Sequence, residues 1–197
     1  MNAFETPASH PQIRLIANAE GYPLSSPDPY DVRLTKEGRK QAIRKGAELL
    51  RRDAVQPNAQ LEYSPTGLSL ETMARVGSGY GQGLNRMLQG SVAVNALRFS
   101  DPGESPDETS DRIGTWMDQH AETLEPGNQV ITFTAEDVIA HIVARIEGWN
   151  NFKRTTETRG IAPVSETQIE HTRAGWRVAN FARPLSPRRP LSVDKTS

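Results

Sequence analysis

Residues 31–42 have the sequence DVRLTKEGRKQA, and this stretch decides how the rest of the chain is organised. It ends a loop at residues 20–35, whose prolines at 23, 27 and 29 prevent a regular element. Thr35 is a favoured helix N-cap, and apolar residues at 42, 43, 47, 49 and 50 follow it at helical spacing. The pattern predicts a helix that begins after Thr35 and ends near residue 53.

Strand and helix patterns alternate along the chain on both sides of this helix. Short apolar runs between polar or turn residues predict buried strands, and amphipathic stretches predict helices. Strands are predicted at 13–16, 60–63, 91–97 and 129–134, helices at 66–76, 106–123 and 136–147, and a terminal hairpin at 166–170 and 175–181. This order predicts an α/β fold, a three-layer α/β/α sandwich with a mainly parallel sheet.

The domain organisation follows from length and composition. A chain of 197 residues suits a single domain with short terminal segments, and we assign that domain to residues 13–182. Residues 1–12 are polar, which predicts a flexible N-terminus. Residues 183–197 are rich in Pro, Arg and Ser, which predicts a disordered tail. Arg188 and Arg189 in this tail could form a docking or phosphorylation motif or could simply be solvated.

The composition excludes several classes of protein. Cysteine is absent, so disulfides, thiolate nucleophiles and thiolate metal sites are excluded. The formal net charge of −1 gives no electrostatic basis for binding nucleic acid or an anionic membrane. The first residues lack the features of a signal peptide, and no apolar run approaches a membrane span. We therefore expect a soluble cytoplasmic protein.

A glycine-rich stretch at residues 77–83, GSGYGQG, superficially resembles a phosphate-binding loop. Neither the G-x-G-x-x-G nor the G-x-x-x-x-G-K spacing is present. We predict a flexible turn there.

Four segments of the chain carry the motifs of one enzyme family. Residues 31–42 follow the pattern D-x-P-L-T-x-x-G-x-x-Q-A, with an arginine in place of the proline. Residues 64–72, SPTGLSLET, follow S-P-x-x-R-A-x-x-T. Residues 15–20, LIANAE, stand at the place of L-V-R-H-G-E, and residues 130–139, VITFTAEDVI, at the place of V-x-V-V-S-H-G-G-x-I. In order and spacing, the chain resembles the histidine phosphatase superfamily, which has the phosphoglycerate-mutase-like fold.

The resemblance implies a catalytic site whose residues this chain has replaced. In the family, one histidine attacks phosphorus, and two arginines with a second histidine hold the phosphoryl oxygens. Asn18 stands at the nucleophile position, Ala17 and Leu68 at the arginine positions, and Ala135 at the second histidine. Since an amide has no basic lone pair with which to attack, we expect no phosphatase or mutase activity.

Acidic residues near these positions allow a second interpretation. Glu136 and Asp137 replace two family glycines and would repel a phosphate dianion, although both could simply favour a helix N-terminus. Glu20 matches a family position that a scaffold hydrogen bond explains equally well, and Glu104 is the nearest candidate for the family's proton donor. With Asn18, these carboxylates could form a repurposed acid/base site.

Other residues that could carry chemistry have ordinary explanations. A metal site of Glu136, Asp137 and His141 would require all three on one helix face, which their spacing does not provide. We therefore predict no metal and no cofactor, and a solvated or capping role for His141. Trp116, Trp149 and Trp176 are predicted to be packing residues.

The functional prediction is a pseudoenzyme, a binding or scaffold protein that uses the phosphatase fold as a platform. The alternative is a repurposed enzyme that carries out elimination, isomerisation or cyclisation of a neutral small molecule. Residual phosphatase activity is a third hypothesis. The expected partner is an unidentified protein or a neutral small molecule, and the chain could also form a homo-oligomer.

Overall fold

A computed structural model describes residues 10–22, 32–81, 88–98, 103–148 and 160–185. Within these ranges the strands are β1 (Gln12–Ala17), β2 (Gln60–Tyr63), β3 (Val92–Ala93), β4 (Gln129–Thr134), β5 (Glu166–Thr172) and β6 (Gly175–Arg183). The α-helices are α1 (Lys36–Arg51), α2 (Gly67–Tyr80), α3 (Pro106–Thr123) and α4 (Glu136–Glu147). The predicted order of strands and helices is confirmed.

The strands form one sheet in the order β3-β2-β4-β1-β5-β6. The first four strands of this order pair in parallel, and β5 and β6 are antiparallel, as the predicted hairpin requires. The prediction of a mainly parallel sheet is therefore confirmed. Every residue of β4 is buried, since this strand lies between β1 and β2 with helices on both faces.

Two hydrophobic clusters cover the two faces of the sheet. Ile13, Leu15 and Ala17 of β1 pack with residues of α3 and α4 in one cluster. Ile16 of the same strand packs with residues of α1 and α2 in the other. The alternation follows from the strand period of two residues, and it makes β1 and β4 the centre of a three-layer fold.

The glycine-rich stretch is helical as far as Tyr80, so the predicted flexible turn is wrong over residues 77–80. The glycines allow α1 and α2 to cross in close contact. A Cβ atom on Gly79 would lie 1.9 Å from the Ile43 carbonyl oxygen, and one on Gly46 would lie 2.0 Å from the Val76 carbonyl oxygen. Helix packing therefore explains these glycines.

The strand predicted at 91–97 is wrong beyond its first residues. β3 contains only Val92 and Ala93, both exposed at the edge of the sheet, and a 3-10 turn follows at Asn95–Leu97. Leu97 is fully buried, and its carbonyl accepts a hydrogen bond from Thr134 Oγ1 at 3.0 Å. The chain therefore turns inward over the end of β4 because burial of Leu97 outweighs extension of an edge strand.

Two buried polar groups interrupt the apolar layers. Glu166 of β5 binds Lys45 of α1 and two arginines, and Lys45 is fully buried. On the other face, Glu62 accepts a hydrogen bond from Trp116 Nε1 at 3.1 Å and lies 3.1 Å from His120 Nε2. Trp116 is 3% exposed, so it packs in the core while its N–H has a partner.

Several predictions fall partly or wholly outside the described residues. These are the flexible N-terminus, of which residues 1–9 are not described, the role of Trp149, and most of the tail, including Arg188 and Arg189. Within the described ranges, no helix is long and apolar enough to cross a membrane.

Candidate functional site

Asn18 lies at the centre of the candidate site, directly after β1. Its backbone N–H donates to the Thr134 carbonyl at 2.9 Å, and its side-chain Oδ1 accepts a hydrogen bond from Ser69 Oγ at 2.9 Å. Its Nδ2 is shielded from solvent and has no hydrogen-bond partner among the residues that the structure describes. The amide is therefore held in place by α2, with one donor directed at no protein acceptor within the described ranges.

This chain has apolar residues at the three other positions, where the family motif has two arginines and a second histidine. Ala17 and Ala135 are 2% and 3% exposed, and Ala17 pairs with Thr134 across the β1–β4 ladder. Leu68 lies in the first turn of α2, where its side chain packs close to Gly21. The structure thus brings the degenerate positions together at the carboxyl ends of β1, β2 and β4, which is the ligand-binding end of such a sheet.

The first turn of α4 carries the two carboxylates that replace the family glycines. Glu136 is exposed, and Ala135 at the N-cap makes no side-chain hydrogen bond. Asp137 Oδ1 accepts a hydrogen bond from the Val138 N–H at 2.8 Å, so part of its role is to satisfy the helix N-terminus. Burial nevertheless raises the pKa of Asp137 above its ordinary value, and the charge of Glu136 adds to this effect.

Solved structures share this arrangement of strands and helices. YhfR from Bacillus stearothermophilus is 18% identical, with a TM-score of 0.69 over 88% of this chain and 98% of that chain. A mycobacterial glucosyl-3-phosphoglycerate phosphatase is 15% identical, with a TM-score of 0.65 over 87% of this chain and 98% of that chain. A protein from Agrobacterium tumefaciens assigned as the phosphohistidine phosphatase SixA is 13% identical, with a TM-score of 0.57 over 91% and 100% of the respective chains. The chain has the histidine-phosphatase fold.

These similarities establish the fold, and at such identities the chemistry has to be argued from the residues of the site. No protein-family model matches the sequence, and no curated protein matches it.

Within the histidine-phosphatase fold of this chain, Glu20 serves the scaffold. Its backbone carbonyl accepts from the Thr35 N–H at 3.0 Å, and its N–H donates to Gln41 Oε1 at 3.2 Å. Its carboxylate Oε1 accepts from Thr35 Oγ1 at 3.3 Å, and the side chain is exposed. These contacts fasten the loop after β1 to the start of α1, as the scaffold interpretation of Glu20 predicts.

Glu104 is bound on both carboxylate oxygens. Arg112 Nε donates to Oε1 at 2.8 Å and Arg112 Nη2 donates to Oε2 at 2.9 Å, a bidentate pair. Because both oxygens already accept hydrogen bonds from one guanidinium, neither is placed to donate a proton to a substrate. The structure therefore offers no support for Glu104 as a proton donor.

Sequence reasoning missed Arg112, which interacts with residues of the first turns of α4, and it missed the burial of His141. Arg112 Nη1 donates to the Ala96 carbonyl, next to the turn that covers the end of β4. Its positive charge opposes the rise in the pKa of Asp137. His141 is 9% exposed, so the predicted solvated role is wrong. Burial and the charge of Arg112 lower the pKa of His141.

The spacing of Asp137 and His141 in the sequence indicates that they lie close together. Asp137 and His141 are four residues apart on α4 and therefore share a helix face, even though adding Glu136 breaks the pattern. No group of three or more His, Asp or Glu residues within the described ranges is arranged to hold a metal ion.

Proposed function

We propose that this protein does not catalyse phosphoryl transfer and acts in the cytoplasm as a binding or scaffold protein on a histidine-phosphatase fold. The observation that carries the proposal is the state of Asn18. Its Oδ1 is taken by Ser69 Oγ, and its nitrogen lone pair is delocalised into the amide, so no nucleophile stands at the end of β1. The absence of cysteine from all 197 residues supports a reducing compartment.

The charges around Asn18 also disfavour a phosphate dianion. The guanidinium of Arg112 is already paired with the carboxylate of Glu104, which neutralises it. Asp137 and Glu136 add acidic groups at the start of α4. Among the described residues, no unpaired cation is shown at this site, and transfer of a dianion there without one would cost several kcal/mol of desolvation free energy, on the order of 2–7 kcal/mol even for a neutral polar group.

Phosphatase assays and thermal melting test the proposal together. We expect no hydrolysis of aryl phosphates or phosphosugars above a no-protein control, and no rise in melting temperature with phosphate or vanadate beyond matched salt. The mycobacterial phosphatase of the same fold is described in complexes with VO3 and with inorganic phosphate, which makes these anions suitable probes. A ligand at about 100 times its dissociation constant stabilises by about 2.7 kcal/mol, which melting detects easily.

The matched variants are Asn18→Ala and a reversion that restores the family residues. The reversion combines Ala17→Arg, Asn18→His, Leu68→Arg and Ala135→His with Glu136→Gly and Asp137→Gly. We expect the reversion to gain binding of phosphate and vanadate. Asn18→Ala should change neither the phosphatase turnover nor the response of the melting temperature to these anions. A saturable vanadate shift in the unmodified protein, or turnover that Asn18→Ala abolishes, would show that the anion site is intact.

A second candidate function, acid/base chemistry on a neutral small molecule, is favoured by one observation. Burial raises the pKa of Asp137 although the residue lies at a helix N-terminus, where the dipole should lower it. Carboxyl groups displaced in this direction act as proton donors in enzymes. Asn18 Nδ2, which has no hydrogen-bond partner within the described ranges, could donate to a carbonyl oxygen of such a substrate.

An NMR titration of the Asp137 carboxyl tests this candidate. We expect its pKa to lie above the ordinary value of 3.8, and Glu136→Gln to lower it by removing a neighbouring negative charge. A titration at or below the ordinary value would eliminate acid/base chemistry at Asp137 and leave the binding function.

A further inference from the structure

A groove outside the degenerate site lies along the outer side of α2. Its lining includes Arg33, Tyr63, Leu70, Ala74, Arg75 and Ala93, and its volume is about 670 Å³. Tyr63 and Ala93 end β2 and β3, so this groove, which we call the α2 groove, opens at the ligand-binding end of the sheet. Small-molecule sites in proteins have volumes of roughly 300–1,000 Å³.

The floor of the α2 groove is apolar and exposed. Leu70 is 46% exposed, and Ala74 lies one helical turn further along the same face of α2. Ala93 on the edge strand β3 is exposed, and Tyr63 at the end of β2 is partly buried. An apolar ring or chain that lies here would remove these apolar surfaces from water, which favours binding.

The rim carries a positive charge that is only weakly compensated. Glu71 Oε2 accepts from the Leu34 N–H at 2.9 Å, and Glu71 Oε1 accepts from Arg39 Nε at 2.8 Å, so both oxygens already have close donors. Partial burial acts to raise the pKa of Glu71, but these donors and Arg75 outweigh it, and the carboxyl stays ionised. Arg75 Nη2 lies 3.7 Å from Glu71 Oε1, and the Arg75 side chain is 44% exposed.

Within the described residues the Arg75 guanidinium makes no hydrogen bond, so its N–H donors are available to a ligand. Arg33 adds a second guanidinium to the lining, and Arg33, Glu71 and Arg75 together give a net charge of +1. A planar guanidinium matches a carboxylate in a two-point hydrogen bond. A dianion would bring a second negative charge toward the carboxylate of Glu71.

We propose that the α2 groove binds a small monocarboxylate with an apolar ring or chain, the carboxylate on Arg75 and the apolar part against Tyr63, Leu70 and Ala93. This inference rests on the proposed binding function and names a ligand class for it, at a site separate from Asn18. None of the four replaced catalytic positions, Ala17, Asn18, Leu68 and Ala135, lines the groove. Binding here is therefore compatible with a complete loss of phosphoryl transfer.

Calorimetry and NMR on the full chain test this proposal, with 4-phenylbutyrate and octanoate as probes. The matched neutral probes are 4-phenylbutyramide and octanamide. We expect saturable binding of the two acids and at least about tenfold weaker binding of the two neutral probes. The chemical-shift changes of the protein's backbone N–H groups should be confined to α2, Tyr63 and Ala93. Arg75→Gln should weaken acid binding about tenfold or more, since it removes a hydrogen bond between two charged groups.

Two further variants separate the site from general charge effects. Ala74→Trp should fill the groove and abolish binding of both acids, whereas Arg51→Gln, which removes an exposed arginine on α1, should leave it unchanged. Absence of saturable binding by either acid would overturn the proposal, as would binding that Arg75→Gln and Ala74→Trp leave intact. Because phosphatase turnover is measured separately, a failure here is distinguishable from a failure of the proposed function.

Discussion

Replacement of Glu166 by glutamine is the sharpest test of how this fold is held together. Glu166 is 2% exposed and its Oε2 lies 2.8 Å from Arg52 Nη1 and 3.2 Å from Lys45 Nζ, while Oε1 binds Arg14. The cluster contains these three cations and two carboxylates, the second being Glu48. Removing one carboxylate leaves buried positive charge with a single counter-ion.

Two independent arguments give a similar magnitude for the unfolding free energy that Glu166→Gln should remove. Loss of one partner from a buried ion pair costs about 3–5 kcal/mol of unfolding free energy. Burial acts to raise the pKa of Glu166, but Lys45, Arg14 and Arg52 outweigh it and lower the pKa from 4.5 to about 2. At about 1.4 kcal/mol per pKa unit, this difference corresponds to about 3 kcal/mol of stability.

The sign of the pH dependence follows from the lowered pKa. The stabilising contribution of Glu166 is fully present above pH 4.5, where the carboxyl is ionised in both folded and unfolded chains, and is lost as the pH falls toward 2. Glu166→Gln should therefore lower the unfolding free energy by about 3 kcal/mol at pH 7 and by much less near pH 2. Urea unfolding followed by tryptophan fluorescence at several pH values measures both quantities.

Two companion variants make the result specific. Glu37→Gln removes a carboxylate that is 52% exposed and 3.6 Å from Lys40, and it should cost less than about 1 kcal/mol. Burial lowers the pKa of Lys45, so Lys45→Met removes a penalised cation and should cost less than Glu166→Gln. A cost below about 1 kcal/mol for Glu166→Gln at pH 7, or a cost that does not change with pH, would refute the reasoning.

Two further predictions concern elements that the sequence pattern alone describes incompletely. Gly79→Ala should destabilise by about 2 kcal/mol in urea unfolding, because its Cβ would lie 1.9 Å from the Ile43 carbonyl oxygen, whereas Ser78→Ala on the exposed side of α2 should not. A Gly79→Ala protein as stable as the parent would contradict the close crossing of α1 and α2. Ser105→Ala should cost about 1 kcal/mol in thermal or urea unfolding, because the Ser105 side chain accepts from the Glu108 N–H at 3.2 Å in a capping box.

The local order of the elements could be predicted from the sequence because each depends on a few neighbouring residues. Thr35 accepts a hydrogen bond from the Gly38 N–H at 2.9 Å and starts α1, as its position before an apolar helical pattern predicts. The buried run at 129–134 is β4, and the hairpin lies at β5 and β6. The replaced family residues could likewise be identified by motif alignment, without coordinates.

Long-range contacts decided the rest. Gly77–Tyr80 is helical because α1 packs against it, and Leu97 leaves the strand because its side chain is buried in the core. Both contacts join residues that are distant along the chain, so a short stretch of sequence does not predict them. The sequence by itself determined which side chains occupy the degenerate site. Only the tertiary structure decided that Asp137 is partly buried, that His141 is buried and that both feel the charge of Arg112, because burial and through-space charge depend on residues that are distant along the chain.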